Sequence, residues 1–172
     1  MVAVCNNLAF GKVDAKSDID LFFVAKKGRL FIVRTFVVLF LHLCGVRRHG
    51  NKIAGRFCLS FFVDDSFLNL SSIAIKNDIY LAYWIKTMVP VLNDGIYSKF
   101  VEKNEWIEEY FENDEKYGRL RILGSFRKGL LYFMLNGVFG NFVEFVLKKW
   151  QIRRASKKMS KAGAEASIII GE

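Results

Sequence analysis

The stretch Asp18 to Ala25, which reads Asp-Ile-Asp-Leu-Phe-Phe-Val-Ala, narrows most what this chain can become. It alternates polar and apolar residues at its start and then turns wholly apolar. A segment of that kind is a strand inside a sheet whose two faces are both covered beyond the opening residues. A covered sheet needs further layers, so the chain must supply helices as well. Leu30 to Cys44 is predicted as a helix closed by Gly45, Arg56 to Val63 as another strand, and Met1 to Cys5 as a short first strand. Lys26-Lys27-Gly28 is a turn, and Arg47 to Gly55 a polar loop.

From Asn77 the apolar period becomes helical. Ile79, Ala82, Tyr83, Ile85, Lys86 and Val89 suit a helix that stops near Pro90. Ser98 to Phe111 is predicted as a second helix and Phe126 to Ser160 as a long third one. The expected fold class is α+β: a small mixed sheet with flanking helices over residues 1–75, then an α-helical region over 76–172 with a basic tail. A chain of 172 residues can bury a core of useful size without disulfides or a structural metal. Its ends are abrupt, which suggests a piece of a longer chain.

Two apolar stretches resemble membrane spans. Thr35 to Val46 is only twelve residues long, and Gly129 to Leu147 is interrupted by Asn136, Asn141 and Glu144. Both are read as buried core helices, and a membrane is not an expected partner. His42 on the first stretch is read as a core histidine, and Trp84, Trp106 and Trp150 as core aromatics. Cys5, Cys44 and Cys58 sit among apolar neighbours without metal-ligand spacing, which suits buried reduced thiols and a cytoplasmic location.

The formal charge is +9. No acid occurs from Leu21 to Val63, while Lys26, Lys27, Arg29, Arg34, Arg47, Arg48, Lys52 and Arg56 do. A second basic run covers Lys148, Lys149, Arg153, Arg154, Lys157, Lys158 and Lys161. Such blocks suit a polyanionic partner, RNA among them, or a solvated face. The aromatic and basic tail over 146–172 also admits a peripheral membrane role. His49 lies in the basic loop.

The candidate chemistry sits at the start of the central strand. Carboxylates at i and i+2 of a strand share one face. Asp18 and Asp20 can therefore converge on one divalent cation, and hard oxygen donors favour Mg²⁺ or Mn²⁺. Upstream stand Asn6, Asn7, Ala9 and Gly11, followed by Ser17-Asp18-Ile19-Asp20-Leu21. Over residues 1–65 this resembles the nucleotidyltransferase domains of the DNA polymerase beta superfamily, whose common form is Gly-Ser-x-Ala-x-Gly followed by Ser-Asp-Ile-Asp-Leu.

The resemblance implies metal-dependent transfer of a nucleoside monophosphate from an NTP to an acceptor hydroxyl. Asp18 and Asp20 would be catalytic and metal-binding. Asn6, Asn7, Gly11 and Ser17 would border the triphosphate. Two departures stand out. Asn6 and Asn7 replace the Gly-Ser pair, and the third carboxylate expected on the Arg56 to Val63 strand is absent. Ser60 stands in that position, with Asp64 and Asp65 as substitutes at the strand end. The alternative reading is a catalytically degenerate module of the same fold that binds nucleotide or RNA.

Overall fold

The structure, a computed structural model, describes residues 1–9, 14–111 and 137–162. It is α+β, as expected. The strands β1 (Val2–Cys5), β2 (Ile19–Ala25), β3 (Phe57–Asp64) and β4 (Val89–Leu92) form one mixed sheet in the order β3-β2-β1-β4. β1 is antiparallel to both β2 and β4, while β2 and β3 run parallel. A parallel pair needs a crossover. The helix α1 (Leu30–Leu43) supplies it.

Every residue from Leu21 to Ala25 is buried. Phe22 and Val24 share a face with Ala3 and Cys5. They pack against α2 (Ile79–Lys86), α3 (Ile96–Lys103) and a 3-10 turn over Glu105–Tyr110. There Phe22 meets Trp84 edge-on at 5.6 Å between ring centres. On the opposite face Phe23 stacks on Phe62 at 4.6 Å. Stacked and edge-on aromatic pairs add to area burial.

Several elements depart from the sequence reading. The segment expected to be only helical contributes β4, so the sheet draws on residues beyond 75. α2 ends at Lys86, and Pro90 lies in β4 opposite Ala3. Proline is tolerated there because β4 is an edge strand, where a missing N–H breaks no inner ladder. The helix expected over Ser98 to Phe111 is broken at Asn104. That buried side chain donates to the Leu68 and Phe100 carbonyls and accepts from the Leu70 amide and the Trp106 indole, ending α3.

The long helix α4 (Val138–Ala162) crosses the start of α1. The Glu144 carboxylate accepts from the Phe31 and Ile32 amides at 2.9 and 2.8 Å. Arg29, the residue before α1, gives no side-chain cap, so a distant carboxylate satisfies these orphan donors. Gln151 donates to the Phe31 carbonyl and to the Thr35 hydroxyl.

α1 is not the buried helix expected of Thr35 to Val46. Phe36, Leu39, Phe40 and Leu43 are exposed, and so are His42 and Cys44. The His42 ring lies beside the exposed His49 ring, at 6.1 Å between centres. On α4, Phe139, Phe142, Phe145, Val146 and Trp150 are exposed too, so Trp150 is not a core aromatic. Trp84 is buried and Trp106 partly so. Among the described residues, no helix is long and apolar enough to cross a membrane.

Candidate functional site

β2, an inner strand, places Asp20 near its starting end, opposite Cys5 of β1 and Cys58 of β3. Asp18 precedes β2 by one residue, and strand alternation puts it on the same side. One oxygen of each carboxylate and the Cys58 sulfur lie within 4.8 Å of one another. The two acids therefore converge, as their spacing predicts.

The register of β3 shifts after Leu59, so that Phe61 rather than Ser60 stands opposite Phe22. This irregularity leaves Ser60 without a partner on β2 in the ladder. Cys58 and Ser60, two residues apart on either side of Leu59, both face Asp20. The Ser60 hydroxyl donates to Asp20 Oδ1.

Asp20 has a second partner. Asn6 Nδ2 donates to Asp20 Oδ2 at 2.9 Å, and Asn6 Oδ1 accepts from the Tyr80 hydroxyl of α2 at 3.2 Å. Asn6 opens a 3-10 turn with φ of 62°, a left-handed conformation that glycine adopts most easily and asparagine better than most residues. Asn6 therefore holds a backbone conformation that glycine favours and adds an amide that orients Asp20. Asn7 follows in the same turn.

Asp18 is ion-paired to Arg48, whose Nη1 lies 2.5 Å from Asp18 Oδ2 and 3.8 Å from Cys58 Sγ. The backbone holds Arg48 there, since its amide donates to the Phe57 carbonyl at the start of β3. The bond to Asp18 raises the Arg48 pKa further, which keeps the guanidinium charged. Burial pushes the Cys58 thiol up, and burial, with Asp20 close by, pushes the Cys5 thiol up strongly. Both thiols are therefore protonated at neutral pH.

The remaining candidates fall elsewhere. Ser17 closes a turn in which its hydroxyl accepts from the Asp14 amide at 3.2 Å and its carbonyl accepts from the Gly55 amide. Gly11 lies outside the described residues. Asp64 pairs with Ala25, five residues along from the level of Asp20, or about 16 Å at the usual strand rise. Asp64 accepts from Ser66, and Asp65 from the Lys27 amide at 2.8 Å. Neither replaces a third carboxylate. Asp64 instead lines a cavity of about 590 Å³ between α1, β3 and α4, with Lys27, Arg34 and Lys148. That cavity contains neither Asp18 nor Asp20.

Cys58 was not foreseen as a site residue. Its signal was its i, i+2 relation to Ser60, which puts both on one face of a regular strand. Arg48 was visible only as a member of a basic loop.

A divalent cation fits this donor set. Two carboxylates supply hard oxygens, and a guanidinium already rests against one of them where a positive charge is wanted. The sulfur adds a softer donor, which favours Mn²⁺ or Zn²⁺ over Mg²⁺ if the thiol loses its proton. Comparison with protein-family models, with curated proteins and with solved structures finds no match for this chain.

Proposed function

We propose that the chain is a metal-dependent nucleotidyltransferase that moves a nucleoside monophosphate from an NTP to an acceptor hydroxyl. The observation that carries this reading is the convergence of the Asp18 and Asp20 carboxylates at one end of a mixed sheet, with Asn6 orienting Asp20. In this reaction the acceptor oxygen bonds the α-phosphorus and the α–β bridging bond breaks. Pyrophosphate leaves, and the acceptor proton passes to a base. A bound Mg²⁺ or Mn²⁺ would neutralise charge on the phosphates and orient them for in-line displacement.

The side chains then have distinct tasks. Asp18 and Asp20 would hold the cation, and the Asn6 amide holds the Asp20 carboxylate in place. Arg48, ion-paired to Asp18, would neutralise charge on a phosphate bound beside that carboxylate. Ser60 stands where a third carboxylate would take the acceptor proton. A hydroxyl is a poor base, and lack of a positioned base costs about 10²–10⁴-fold in rate. The reaction is therefore expected to be slow. RNA is the acceptor class to test first, since the chain carries a formal charge of +9.

A second reading rests on the same Ser60: a module of this fold that binds nucleotide or RNA without turnover. Incubation with α-labelled NTPs, Mn²⁺ or Mg²⁺ and RNA separates the two. Label transfer that disappears in Asp18→Asn and Asp20→Asn supports the enzyme. Nucleotide binding without transfer, lost in the same variants, supports the binding module. Metal-dependent NTP binding that survives both substitutions removes both readings.

A further inference from the structure

We infer that the uncovered face of α1, together with the basic loop that follows it, docks on an anionic lipid surface. This inference does not depend on the activity proposed above. Phe36, Leu39, Phe40 and Leu43 are spaced three, one and three residues apart, which places them on one stripe of the helix. Leu43 is 84% exposed and Phe40 64%. Ile32, four residues before Phe36, begins the same stripe and is buried where Glu144 and Gln151 of α4 cross it. α4 thus covers the first turn and leaves the rest of an apolar stripe in water. Beyond the helix, Val46 and Ile53 add further exposed apolar surface.

Charge decides what covers this stripe. Besides Arg48, which Asp18 holds, the loop carries Arg47, Lys52 and Arg56, and no acid occurs from Leu21 to Val63. α4 repeats the pairing of exposed rings with cations: Lys149 lies 4.2 Å from the Phe145 ring centre and Arg154 5.5 Å from that of Trp150. The acid among the described residues of α4, Glu144, points inward onto α1.

A second copy of the chain would press one basic rim against another, on a molecule whose formal charge is +9. An RNA would satisfy the arginines and lysines but leave Leu39 and Leu43 facing water. A bilayer containing anionic lipid satisfies both, because the acyl boundary takes the apolar stripe and the headgroups take the basic loop. No span is needed for such docking, and none is present among the described residues.

The test is co-sedimentation of the full chain with phosphatidylcholine vesicles, with and without phosphatidylserine, at low and high salt. The expected result is partition onto the phosphatidylserine vesicles alone, weakened by salt. Phe40→Ser with Leu43→Ser should weaken it about tenfold or more, as loss of two inserted side chains requires. Lys52→Glu should weaken it with the stripe intact. These side chains are exposed, so circular dichroism of the variants should match the parent chain. Three results would overturn the inference. One is no partition onto phosphatidylserine vesicles. Another is partition unchanged in the double variant. The third is a dimer without lipid that Leu43→Ser dissociates, which would make a second copy the occupant.

Discussion

Asn6 shows how one side chain can hold two roles at a site. Its left-handed backbone turns the chain from β1 into the 3-10 turn, and its amide bridges Tyr80 and Asp20. The tolerance of asparagine for unusual backbone angles was legible in the sequence, whereas its amide was expected at a triphosphate and its bond to Asp20 was not foreseen. Arg48 was less legible, because its place depends on the Val46 carbonyl and the Arg48 amide pairing with Phe57 across the loop. Cys58 carried a signal in its i, i+2 relation to Ser60, but the register that sets it opposite Asp20 comes from the pairing of β2 with β3, which residue types alone do not announce. Arg48 also competes directly with any cation for Asp18. Calorimetric titration with Mn²⁺ should show tighter binding by Arg48→Ala than by the parent chain, by up to about fivefold, the usual worth of a partly exposed ion pair. Weaker binding by the variant would mean that Arg48 helps to build the site.

Among the elements, β2 and α1 were the most legible, because a long apolar strand and a fourteen-residue apolar helix have few alternatives. What the sequence could not say is which side of α1 faces out. Nearly every position from Leu30 to Leu43 is apolar, so the helix has no polar stripe to mark the solvent side. β4 was missed because four residues centred on a proline carry no readable period, and only pairing with β1 makes them a strand. The capping of α1 belongs to this scale as well. Glu144 is more than a hundred residues from the amides it accepts, so no local pattern predicts it. Glu144→Ala would leave the Phe31 and Ile32 amides without that partner and should cost about 1–3 kcal/mol. Thermal unfolding should show a lower Tm for Glu144→Ala than for Glu144→Gln, which keeps one acceptor. Equal Tm values for the parent and both variants would mean that α4 contributes nothing to the start of α1.

Across the whole molecule, the α+β class was legible from the change of period near Asn77. The division at residue 75 matches less well, because the sheet does not end there. β1 lies between β2 and β4, and the core beneath it takes Trp84, Ile85, Met88 and Phe100 from beyond the division. A fragment of residues 1–75 should therefore lack a cooperative thermal transition that the full chain shows. A sharp transition in the fragment would establish the first segment as self-sufficient. The same arrangement bears on synthesis. While a ribosome has released only residues 1–75, the first strand has one bare edge, and Asn6 has no Tyr80 to steady it. The last side chain to join the carboxylate cluster is Tyr80, so a product that stops before it would carry both acids without the full frame that aligns them.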